Sequence, residues 1–183
     1  MNRTAKVLGA ALLALTLLAP LALATQVAYR SPSQLGVESA LVVRGEVTGV
    51  RSYWNESRTK ILTETSIAVA DRYKGAAGGT IEVVQLGGVV GHVRMTVHGA
   101  LSWTPGEEVL LFLEPFKGRA WQVSGMFQGK FKVVRNAAGE PFIMNAPSGD
   151  AEVVGAPGAG GQALRPSGPV ALDDFVNQAL GRR

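Results

Sequence analysis

The chain has 183 residues, no cysteine and a formal net charge of +4. The missing cysteine excludes thiol catalysis, CxxC redox chemistry, thiolate zinc sites and any disulfide that could staple a small fold. Arg3 and Lys6 precede Ala24 and every acidic residue follows it, so the part from Thr25 onward carries 16 basic against 14 acidic side chains. A net charge of +2 is too mild to point to nucleic acid or an anionic membrane as partner.

In chain order, the basic start at Arg3 and Lys6 leads into an apolar run, Val7 to Leu18, then Pro20 and Ala22-Leu23-Ala24. That order of charge, apolar core and small-x-small site reads as a secretory signal peptide over residues 1–24, cleaved after Ala24. Export to the periplasm or the medium is the expectation, with an uncleaved anchor as the alternative. No later stretch is long and apolar enough to span a membrane. The remaining 159 residues suffice for one well-buried domain.

Residues 25–38 read as a lead-in, with one helical turn between Ser31 and Ser39. A β domain is expected over 39–146. Leu41, Val43 and Val47 alternate with Arg44, Glu46 and Thr48, a half-buried strand whose inward glycines, Gly45 and Gly49, let it coil. Tyr53 to Ser57 reads as a turn. Ile61, Thr63, Thr65, Ile67 and Val69 share one face of a second long strand that Tyr73-Lys74-Gly75 closes. Thr80 to Leu86 is a third strand, ended by Gly87-Gly88. His92 to His98 reads as a fourth, with Val93, Met95 and Val97 inward. After the Thr104-Pro105-Gly106 turn, Val109 to Leu113 is apolar at every position and is expected to be buried on both faces. Arg119 to Ser124, Gly129 to Val134 and Pro141 to Met144 complete seven or eight short strands. Residues 147–169 are rich in Gly, Ala and Pro and read as a linker. In 170–183, Leu172, Phe175, Val176, Ala179 and Leu180 recur at helical spacing behind Asp173 and Asp174, an amphipathic C-terminal helix.

The pattern predicts a mainly β fold: a five-stranded OB-type Greek-key barrel with an added hairpin and a short C-terminal helix. An antiparallel β-sandwich is the alternative. Leu41-Val42-Val43-Arg44-Gly45-Glu46-Val47, the strand ending Tyr73-Lys74-Gly75, and Glu108 to Leu113 after a Pro-Gly turn together resemble the netrin-like module. That module is the OB-type barrel of the tissue inhibitors of metalloproteinases, and the resemblance covers about Ser39 to Val134. Gln128-Gly129-Lys130-Phe131 is similar to a stretch carried by small exported bacterial proteins of unknown activity. The resemblance implies the barrel, and a protease as one class of partner. The inhibitors act through an N-terminal cysteine, so their inhibitory residues have no counterpart here.

Candidate chemistry is sparse. His92 and His98, six apart on one strand, would stand about 20 Å apart, too far to share a metal. Ser57-Arg58-Thr59-Lys60 matches S-x-x-K but falls across a turn, where Ser and Lys do not share a helix face. Glu107 and Glu108 are adjacent and so point to opposite faces. Lys130 and Lys132 are expected on a solvated face opposite Phe131 and Val133, with Arg135 close by. No cofactor or metal is implied. Tyr53, Trp54 and Trp103 fall in expected loops, where rigid aromatics supply contact area. They are the candidate partner-binding residues of a non-enzymatic module for a protein or peptide. A hydrolase with a site assembled from scattered residues, and an envelope protein docking by its C-terminal helix, are the alternatives.

Overall fold

The computed structural model describes residues 26–145, 152–154 and 169–182. The leader, and most of the Gly/Ala/Pro-rich linker, lie outside the described residues.

The chain opens with strand β1 (Gln26–Ala28) and helix α1 (Pro32–Glu38). The helix is two turns rather than one because its start is fully capped. Ser31 Oγ accepts from Gln34 N, Gln34 Oε1 accepts from Ser31 N, and Pro32 occupies the first turn. Then come β2 (Leu41–Trp54), β3 (Ile61–Lys74), β4 (Thr80–Leu86), β5 (Gly88–Val90) and β6 (Val93–Met95). They are followed by β7 (Glu108–Pro115), β8 (Trp121–Val123), β9 (Lys130–Arg135), β10 (Pro141–Asn145), β11 (Glu152–Val154), β12 (Val170–Ala171) and helix α2 (Leu172–Leu180).

The fold is mainly β. One eight-stranded sheet runs β12-β10-β9-β7-β2-β3-β4-β8. Strand β8 also pairs antiparallel with β7 and meets β4 in parallel at Val83 and Trp121, so the pairing β7-β2-β3-β4-β8 returns to β7. A two-stranded hairpin, β5–β6, and a parallel pair, β1–β11, stand apart from this sheet. Strand β2 coils where its glycines lie: the β2–β3 register slips at Arg44/Gly45 and again at Val47/Gly49. A Cβ on Gly45 would sit 2.5 Å from the Ala68 carbonyl oxygen, so only glycine lets the strands cross this closely.

Two apolar cores lie on the two faces of β2 and β7. Leu41, Val43, Val47, Ile67, Val109, Leu111 and Leu113 share one of them. Val42, Leu110, Phe112, Phe131, Ile143 and the apolar face of α2 share the other. Val109 to Leu113 is accordingly buried on both faces, as its unbroken apolar sequence requires. Helix α2 places Leu172, Phe175, Val176 and Ala179 in the second core, where Phe112, Phe131 and Phe175 meet edge to face or tilted. Helix α1 lies across it with Gly36 against the Ala179 carbonyl, a contact that leaves no room for a side chain. The apolar face of α2 is therefore covered by the protein's own core.

Three sequence expectations change. Tyr53 and Trp54 are strand residues, because β2 and β3 stay paired out to Tyr53–Leu62 and Trp54–Ile61. The turn comes later, at 55–60, where Asn55 Oδ1 accepts from the backbone of Thr59 and Lys60 and Arg58 takes a φ of 53°. The segment from His92 to His98 is not one strand. Gly91 (φ 59°) turns the chain into a hairpin, Val90 pairs with Val93, and Val93 is 48% exposed. Lys130 does not face solvent, since it stands opposite Leu111 in the β7–β9 register and so points into the first core.

Candidate functional site

An open cleft of about 450 Å³ lies beside the first core. Val50 and Ser52 of β2, Thr63 of β3 and Gln85 of β4 form its floor. Val89, Arg94 and Met95 of the hairpin form one wall, and the segment from Thr96 to Trp103 forms the other. Its size is that of a small-ligand or peptide side-chain site.

Each wall is fixed from below. Gly88 rests on the hydroxyls of Ser52 and Thr63, so close that a side chain there would strike both. Thr63 Oγ1 donates to the Gly87 carbonyl at 2.7 Å, which leaves Ser52 as the donor in its 2.9 Å contact with Thr63. The Ile61 amide points at Met95 Sδ, 3.3 Å away. On the other side, the Gln85 side chain acts as a piece of backbone. Its Nε2 donates to the Leu101 carbonyl at 2.8 Å, and its Oε1 accepts from Leu101 N at 3.2 Å and Trp103 Nε1 at 3.3 Å.

Lys130 holds the same segment from the first core. Only 3% exposed, it donates to the Ser102 carbonyl at 2.6 Å and Glu107 Oε1 at 2.5 Å. Its Nζ lies 4.2 Å from the centroid of the Trp103 ring. Burial pulls the ammonium below the ordinary lysine range, and the Glu107 carboxylate opposes that shift. Glu107 also accepts from Thr104 N at 3.1 Å, which ties down the turn that follows. Glu108 points the other way, to Arg44 and Arg135, as adjacency on a strand demands.

The three aromatic candidates part company. Trp103 lines the cleft. Trp54 lies two residues beyond Ser52 on the same face of β2 and continues the floor outward. Tyr53 is on the opposite face with Arg51 over its ring, and burial followed by the Glu64 carboxylate pushes its phenol up. Of the histidines, His98 lines the cleft and His92 sits at the hairpin turn; neither position is on the long strand expected for them. The Ser57 hydroxyl is held by Asn55 and Thr59, and no side-chain bond joins it to Lys60 among the described residues. Among those residues no three His, Asp or Glu side chains gather at metal-binding range, and no helix is long and apolar enough to cross a membrane.

Sequence reasoning gave Gln85 and Arg94 no role and placed Lys130 on a solvated face. Gln85 reads as an ordinary strand residue, and only the return of the segment 99–103 against it gives its amide a role. No family model matches the chain, and no curated protein matches it.

Proposed function

We propose that this protein is an exported, non-enzymatic binding module that recognises a protein or peptide partner at the cleft. The observation that carries the reading is the combination of satisfied polar groups inside the cleft with apolar side chains left open around it. Ser52 donates to Thr63 and Thr63 to the Gly87 carbonyl, and the Gln85 amide is occupied by Leu101 and Trp103. Meanwhile Val50 and Val89, which line the cleft, remain exposed. Clustered apolar exposure marks an interaction surface more than a single exposed valine does.

A hydrolase needs a nucleophile beside a base; His98 lines this cleft, but among the described residues no hydroxyl bonds to it, and those of Ser52 and Thr63 are engaged with each other and with the Gly87 carbonyl. Docking by helix α2 is supported less, because its apolar face already lies in the second core. The closed run of pairings β7-β2-β3-β4-β8, with β4 and β8 parallel, supports an OB-type barrel to which hairpin β5–β6 is the addition. The netrin-like resemblance supports the same barrel and makes proteases one partner class to assay. Arg3, Lys6 and the apolar run to Leu18 support export. N-terminal sequencing of the protein recovered from periplasm or medium should begin at Thr25; recovery of Met1 on membrane-bound protein would contradict export.

Recognition is tested by substitution. Trp54→Ala should weaken capture of the partner by about 2 kcal/mol or more, the loss expected of a contact hot spot. Tyr53→Ala, on the other face of the same strand, should leave capture unchanged. Equal capture by wild type and Trp54→Ala, at unchanged urea midpoint, would remove this end of the cleft from the site.

A further inference from the structure

We propose that the cleft takes an extended peptide in which an acidic side chain sits among apolar ones, and that Arg94 reads the acid. This rests on the cleft being the binding site. Among the described residues, Arg94 is the one lining the cleft that carries a full charge, and no acid lines it. Among the described residues, Arg30, Arg44, Arg51 and Arg135 pair with carboxylates, and Arg72 and Arg182 donate to backbone carbonyls. Arg94, Arg58 and Arg119 make no such bond among those residues, and of these three only Arg94 lines the cleft, where it is exposed. A guanidinium fork left open beside apolar surface is matched by a carboxylate.

The apolar half of the ligand follows from the hairpin register. Val89 stands directly opposite Arg94, so the two side chains share a face, and Val89 is 44% exposed. A ligand that meets Arg94 therefore meets an isopropyl group beside it, with Val50 on the floor. A peptide fits better than a small amphiphile because, among the described residues, the hairpin sheet contains β5 and β6 alone, so its outer edges offer unpaired backbone beside the cleft, where an extended segment can add as a strand. Because Gln85 and Lys130 already hold the facing wall, little ordering is needed on binding.

The test uses the purified protein, immobilised, and a phage library of random decapeptides. Selection should enrich peptides that combine Asp or Glu with Val, Ile or Leu. A synthetic consensus peptide should bind wild type at least about tenfold more tightly than Arg94→Glu, with Arg94→Gln between them. Arg94 is exposed, so both variants should keep the wild-type urea midpoint. Enriched peptides without acids, equal binding by Arg94→Glu, or no enrichment would each overturn the proposal. So would laurate displacing the peptide at equal concentration, which would mark a small amphiphile as ligand. If Trp54→Ala abolishes peptide capture while Arg94→Glu does not, the acid preference falls and the cleft stands. If neither substitution matters, both fall.

Discussion

Lys130→Met should destabilise the protein by about 3–5 kcal/mol, the cost of removing one partner of a buried ion pair. The substitution keeps most of the apolar stem and removes the ammonium. It leaves the Glu107 carboxylate, whose side chain is 13% exposed, without its cation, and the Ser102 carbonyl without its donor. The double variant Lys130→Met/Glu107→Gln should recover much of that loss, because no unpaired charge remains buried. Lys132→Met, two residues on and exposed, should stay within about 0.5 kcal/mol. Urea midpoints read all three. A Lys130→Met as mild as Lys132→Met would show that the pair does not hold the wall of the cleft.

Gly129→Ala should be at least as severe, above about 3 kcal/mol, at the top of what overpacking costs. A Cβ at 129 would lie 2.6 Å from the Ser124 carbonyl oxygen and 2.9 Å from that of Phe112. Both obstacles are backbone. Phe112 N donates to the Gly129 carbonyl and Ser124 N to the Phe112 carbonyl, so neither chain can yield without breaking the contact between β7 and its neighbours. Gly79→Ala, with open space around it and no left-handed backbone requirement, should be nearly silent in the same denaturation experiment. Equal midpoints for the two variants would reject the close crossing at Gly129.

These two predictions fall in one four-residue stretch, and each member of it ties a different part of the molecule. Gln128 grips the lead-in segment, donating from Nε2 to the Ala28 carbonyl and accepting at Oε1 from Arg30 N. Gly129 allows the crossing at Phe112. Lys130 turns into the first core and holds the cleft wall, while Phe131 turns into the second and meets Phe112 and Phe175. In the sequence these residues stand out as a motif, but nothing local tells which face of β9 is buried. Both are at its start, Lys130 and Phe131, where β9 lies beside the apolar run Val109 to Leu113 of β7, whereas Lys132 is exposed. That fact becomes visible only once the pairing of Leu111 with Lys130 and Leu110 with Phe131 is known.

The β alternation at Leu41 to Val47 and at Ile61 to Ile67, and the helix at Leu172 to Leu180, were legible because period-2 and period-3.6 patterns each pick out one buried face. The extent of the β2–β3 ribbon was not. Tyr53 and Trp54 look like turn residues until Asn55 is seen to close the turn with its own side chain. The segment from His92 to His98 misled for a related reason. Its alternating valines and methionine match a half-buried strand, yet Gly91 and Gly99 take positive φ at its two ends and make it a hairpin arm and a wall. The candidate site depends on that wall. Of its parts the sequence pointed to Trp54 and Trp103 as binding residues, and to His98 in a different role, because a cleft is a property of which distant segments meet.

The most direct test of the binding surface exploits the absence of cysteine. A single Val89→Cys carries a photocrosslinker into the cleft, and Val37→Cys carries it onto α1, where Val37 is 78% exposed. Val37 is the more exposed apolar side chain of the two, so simple stickiness would favour it. Irradiation of cells producing the protein, followed by mass spectrometry, should yield a discrete adduct from position 89 and none from position 37. An adduct from 37 with none from 89 would place recognition on the helical face and contradict the cleft.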